Sequence, residues 1–160
     1  MKYLKCFIMI ILLFSLQSCS INDPKYIHFG TKESPDFYIN EINSRILNSE
    51  DYSLEIFNTN LYKKIKIDDT EKVVIENFIN SLANANYIDN EKPSTQEVYQ
   101  MRITFNDEKY IINIYNESMV TVFPWDGIYD EDIINMVNVP ERYNLLDFCE
   151  NIEKRINLNQ

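Results

Sequence analysis

Residues 98 to 123 hold three strand-like runs in close succession, and no other feature restricts the fold of this chain as much. In VYQMRITF, the apolar Tyr99, Met101, Ile103 and Phe105 alternate with Gln100, Arg102 and Thr104. A period of two places successive side chains on opposite faces, so this run calls for a sheet with one face on a core and one in water. YIINIYN and MVTVF follow, separated by the turn-forming stretches Asn106-Asp107-Glu108 and Asn116-Glu117-Ser118. Connections this short join antiparallel neighbours, so the three runs form a meander.

The flanking segments supply more elements. YSLEIFNTNLYKKIKID reads as two strands turning at Asn58-Thr59-Asn60, and DIINMVNV adds a further strand. Three helices are expected. The first is ESPDFYINEINSRILN, capped by Ser34 with Pro35 in its first turn and Phe37/Tyr38, Ile42 and Ile46 at helical spacing. The second follows a capping box at Asp68 and Glu71, with Val74, Ile75, Phe78, Ile79 and Leu82 as its stripe. A loop runs on through Pro93. The last helix starts near Pro140 and buries Leu145, Phe148, Cys149, Ile152 and Ile156. Together these make an α+β domain, an antiparallel sheet of about five strands with helices packed on one face. From Leu61–Ile67 onward the order β-α-β-β-β-(β)-α resembles that of one half of a TATA-binding-protein-like fold, in element order alone.

The start of the chain carries an address. Met1–Lys5 is short and basic, and Cys6–Leu16 is an apolar run shorter than the ~20 residues a spanning helix needs. It ends in Leu16-Gln17-Ser18-Cys19, which resembles the lipobox of bacterial lipoproteins. That resemblance implies diacylglyceryl modification (palmitate-type acylation) of Cys19, cleavage just before it, and anchoring on the extracytoplasmic face of the cell membrane. The alternative is an ordinary cysteine after a signal peptide. The expected organisation is a signal peptide (1–18), a tether (19–33) and a single α+β domain (34–160). The whole chain, including FPWDG and PERYNLLDFCE, is similar to small Gram-positive lipoproteins of unknown function.

Charge and composition narrow the partners. The net charge is −10, and loss of residues 1–18 takes it to −12, with 13 basic and 25 acidic residues. Such a field repels nucleic acid and acidic headgroups and attracts cationic partners. Only two glycines are present, which argues against phosphate-cradling loops. His28 is the sole histidine and falls in the tether, so hydroxyl or thiol nucleophiles lack their usual base. Cys149, on an apolar stripe, reads as a core residue and has no disulfide partner once Cys6 is removed and Cys19 acylated. No zinc spacing occurs, and chance carboxylate pairs are unavoidable with so many acids. The expectation is a non-enzyme without cofactor or metal.

Two stretches stand out as a possible binding surface. In FPWDGIYDED, Pro124 ends a strand, Asp126-Gly127 turns the chain, and Trp125 is the only tryptophan. Trp125 either anchors an interface or folds back over the sheet edge, the latter being commoner. Asp126, Asp130, Glu131 and Asp132 offer oxygen ligands to calcium without the spacing of an EF-hand, so a solvated acidic loop is preferred. Arg142 and Tyr143 stand at the expected start of the last helix, as a binding lip or as packing. The leading expectation is a lipid-anchored, non-catalytic module that binds an unidentified protein or peptide. The alternative is an acidic protective or immunity-type lipoprotein that sequesters a cationic peptide or hydrolase. A solute receptor ranks third, because such proteins close two lobes around a cleft.

Overall fold

The computed structural model describes residues 32–88, 92–127 and 129–158. Their order is α1 (Phe37–Leu47), β1 (Ser53–Asn58), β2 (Lys63–Lys66), α2 (Val73–Ser81), a 3-10 turn (Asn84–Asn86), β3 (Tyr99–Thr104), β4 (Lys109–Asn116), β5 (Met119–Pro124), β6 (Asp132–Asn135), a second 3-10 turn (Glu141–Tyr143) and α3 (Leu145–Leu158). The fold is α+β. All six strands pair antiparallel in the order β2-β1-β3-β4-β5-β6, so the expected meander is flanked by the β1–β2 hairpin and by β6.

One sheet face carries the core. Leu54 and Ile56, Met101 and Ile103, Ile112 and Ile114, Val120 and Val122, and Ile134 are all fully buried there. They meet Tyr38, Ile39 and Ile42 of α1, Ile75 and Phe78 of α2, and Leu145, Cys149 and Ile152 of α3. The β3 alternation holds, with Tyr99, Met101 and Ile103 buried and Gln100 and Arg102 half-buried. The wet second face does not hold at the sheet centre. Ile111, Asn113, Tyr115 and Thr121, which point away from the helices, are buried as well. The connection after Tyr87, which bridges Ile134 on β6, must return to β3. Its described part pairs Lys92 with Glu131 at 3.1 Å, and Val98 N–H donates to the Ile114 carbonyl.

The helix ends depart from expectation. Ser34 does not cap α1. The helix begins two residues after Pro35, behind Asp36, and the Ser34 carbonyl accepts from Phe37 N–H. The Asp68–Glu71 capping box does not form either. α2 starts at Val73, Asp68 contributes only its carbonyl to a backbone turn, and the Glu71 carboxylate instead binds Arg155 of α3. An inter-element ion pair has taken the acid that a local cap would need. α3 begins at Leu145 rather than Pro140, with the Asn144 side chain accepting from Leu146 N–H at 3.0 Å. At the far end of α1, Ser49 adopts φ 60. Glu50 N–H bonds the Arg45 carbonyl and Ser49 N–H that of Ile46, a Schellman closure with serine where glycine is usual.

Candidate functional site

Trp125 sits where β5 gives out. Pro124 is the last residue of the strand, and Trp125 N–H still reaches the Lys109 carbonyl at 2.7 Å. That bond fixes the backbone while the indole stays in solvent, 66% exposed. The sequence preference for a folded-back tryptophan is thus corrected, because Pro124 and the turn closed by Gly127 N–H on the Pro124 carbonyl aim the side chain outward. Lys109 Nζ lies 4.8 Å from the ring centroid, a cation–π contact that steadies one face of the indole.

Acids ring this end of the sheet. Glu108 and Asp126 face one another, and burial followed by the Asp126 carboxylate raises the Glu108 pKa above the usual carboxylate range. Glu41 of α1 approaches the fully buried Tyr110, whose phenol is pushed up mainly by burial. Arg45 counters part of this charge with a two-pronged grip on Asp107, at 2.6 and 3.2 Å, and reaches Glu50 at 3.1 Å. The arrangement offers an exposed aromatic plane beside a concentrated negative field, which suits recognition of a cationic group.

Arg142 and Tyr143 do not join this site. Asn144, directly after them, donates to the Glu117 carbonyl in the β4–β5 turn at 2.7 Å. That turn lies at the opposite end of the sheet from Trp125, because β5 runs from one to the other. Arg142 instead covers the Tyr143 ring at 4.6 Å. The four candidate residues thus form two separate places, Trp125 with Asp126 and Arg142 with Tyr143.

The acids of the 126–132 loop also fail to converge. Asp132 is fully buried, accepts from Ile39 N–H at 2.8 Å and pairs with Lys32 Nζ at 2.6 Å. Glu131 turns to Lys92, and Asp126 to Glu108. Among the described residues, no cluster of three or more His, Cys, Asp or Glu is arranged to hold a metal ion.

Sequence reading missed two buried carboxylates. Asp132 occupies a core-facing position in step with Ile134, and burial lifts its pKa to about 6 despite Lys32. Glu153 on the inner face of α3 accepts from the Tyr99 hydroxyl at 2.6 Å and from Asn58 Nδ2 at 2.9 Å. The signal was present in both cases, an acid in register with apolar neighbours. Cys149 is buried and unpaired as expected, and burial drives its thiol far above the ordinary range. The expected signal peptide, Cys19, His28 and the expected tether as far as Thr31 lie outside the described residues. No described helix is long and apolar enough to cross a membrane.

Comparison with known proteins adds a family and a fold. No curated protein matches. A crystal structure reported for a "Putative Lipoprotein from Clostridium perfringens" superposes with a TM-score of 0.71 at 23% identity, covering 78% of this chain and 99% of that one. At that identity the likeness concerns the fold. The profile of the domain of unknown function DUF4883 matches residues 32–149, which include all six strands, α1, α2 and the Trp125 corner. The chain therefore belongs to the DUF4883 family.

Proposed function

We propose that this protein is a lipid-anchored domain on the outer face of the cell membrane, acylated at Cys19, which binds another macromolecule without acting on it chemically. The observation that carries the binding half is Trp125, held rigidly by its backbone yet 66% exposed on a described fold whose other aromatic rings largely pack inward. Aromatic side chains are favoured anchors of interfaces because they bring a large contact area on only two side-chain torsions. The lipobox and the likeness to the Clostridium perfringens structure support the anchoring half. The test is photo-crosslinking in living cells from position 125. A discrete adduct, absent when the probe is moved to exposed Asp130, is the expected result. Repeated absence of any adduct counts against the reading.

A second reading has its own support, in the acids beside Trp125. Burial first, and then the nearby Asp126 and Glu41 carboxylates, raise the Glu108 pKa, and a cationic group docked there would relieve the repulsion among the three acids. On this reading the partner is a basic peptide or hydrolase, captured at a salt-dependent rate. A deletion strain with unchanged sensitivity to basic peptides and wall-degrading enzymes would set this version aside.

A further inference from the structure

We propose that the corner built from the β1–β2 hairpin tip and the C-terminal end of α3 is a peripheral docking surface for an anionic lipid bilayer. Two apolar side chains stand out from the tip, Leu61 at 64% and Tyr62 at 81% exposure, and Leu158 at the end of α3 is 85% exposed. Lys63 Nζ bonds Asn157 Oδ1 at 2.8 Å, which sets tip and helix end side by side. Large apolar side chains gathered at one place mark an interaction surface more strongly than the same residues scattered singly.

The tip is held in shape. Tyr62 sits at φ 52, a left-handed conformation that a non-glycine residue keeps only where its surroundings enforce it. Here the Asn58 carboxamide oxygen accepts from Asn60 and Leu61 N–H, while its Nδ2 donates to buried Glu153 of α3. The Phe57 ring meets that of Tyr62 edge-on at 6.2 Å. The fold thus supports, from a buried helix acid, a turn whose two apolar side chains it leaves in water.

The charge at this corner is opposite to that of the molecule. Lys63 and Lys64 follow the tip along the edge strand, without an acidic ion-pair partner among the described residues, whereas Lys66, farther along, stands opposite Glu55 and its charge acts on Asp69. Edge lysines also keep an exposed strand from pairing with other chains, but that role does not account for Leu61 and Tyr62 beside them. At physiological salt the Debye length is about 8 Å, so acids at the Trp125 end leave the attraction at this corner largely intact. Leu and Tyr at headgroup depth, with lysines reaching phosphates around them, is the chemistry of a shallow interfacial contact.

The anchor permits the contact. Lys32 is fixed at the β6 edge, across the whole sheet from β2, a width of about 24 Å at normal strand spacing. The segment from Cys19 to Thr31 can span at most about 43 Å when extended, so one bilayer can meet both the acylated cysteine and the β2 corner. The inference uses the anchored reading only to say which membrane is met.

Co-sedimentation with phosphatidylcholine vesicles, with and without phosphatidylglycerol, tests the corner on unlipidated protein starting at Ser20, since the described core lies wholly after Lys32. The unaltered protein should partition at least about tenfold better onto the anionic vesicles, and lose that preference at high salt. K63Q/K64Q should weaken partition about thirtyfold and L61S/Y62S about tenfold, while L47S, at an exposed leucine of α1, changes nothing. Equal partition onto both vesicle types overturns the proposal, as does an effect of L47S matching that of L61S/Y62S. Should a hairpin variant fail to fold, salt titration of the unaltered protein still decides the matter. Because the protein used carries no acyl chain, failure of Cys19 modification and failure of this corner are separate results.

Discussion

Glu153 and Asp132 are both removed from water, and their surroundings treat them differently. Glu153 answers two buried donors, Tyr99 and Asn58, and through Asn58 it fixes the hairpin turn. Glu153→Ala leaves both donors unpaired and should cost about 2–4 kcal/mol in urea unfolding, with Glu153→Gln in between because one acceptor survives. Asp132 is governed by burial, which outweighs Lys32 and raises its pKa to about 6. An unfolded aspartate titrates near 4, so the folded state binds this proton more tightly. The stability it contributes is full below about pH 4 and is lost as pH rises through 6, up to about 3 kcal/mol. Wild type should therefore gain on Asp132→Asn as pH falls from 7 to 4.5, measured by paired urea titrations. An unchanged difference would mean that Lys32 keeps Asp132 ionised. Neither acid was legible as buried, because a pattern of apolar residues says which face points inward and not which polar side chain finds a partner there. Trp125 was legible as a candidate, and its exposure was not, since that depends on the bond to Lys109 two strand-ends away.

Strands were easier to read than helix starts, for a physical reason. The alternation in Tyr99–Phe105 follows from strand geometry itself, whereas a helix start depends on which of several acceptors captures the first amides. Around α2 the sequence offers Asp68, Asp69 and Glu71, but none caps the helix. Asp68 gives only its carbonyl to a turn, Asp69 pairs locally with Lys72 at 2.5 Å, and a tertiary contact with Arg155 claims Glu71. Asp68→Ala should accordingly shift stability by less than about 0.5 kcal/mol. Asn144→Ala, which removes both a true cap and the bond to Glu117, should cost about 1–2 kcal/mol. Chemical denaturation of the two variants decides between local and tertiary control. Inside the core, Phe78→Ala on α2 should cost about 3–5 kcal/mol, since the ring is fully buried against the sheet. β4 shows the limit of period-two reasoning. YIINIYN is apolar or aromatic at five of its seven positions, on both faces of the strand, and that continuity signals burial on both sides, which period-two alternation alone does not.

Among the described residues, three helices and six strands share one core, so their unfolding should be a single transition. Cys149 reports on it directly. Its thiol is fully buried and its ionisation suppressed, so reaction with a disulfide reagent should be slow in native buffer and should follow the urea transition seen by circular dichroism. Early labelling would reveal α3 lifting away on its own. Strand order in the described sheet carries one more consequence. Four of the five pairings join strands that are consecutive in the chain, and each can zip from its own turn. The exception is β1 with β3, where Ser53–Asn58 must wait for α2 and the long connection after it before meeting Tyr99–Thr104. Closing so long a loop has an entropic cost that neighbouring hairpins avoid. The β1–β3 line is then a seam, the last to close as the chain folds and the first to part under load. Amide exchange should be faster there than along β3–β4, at the same depth in the sheet.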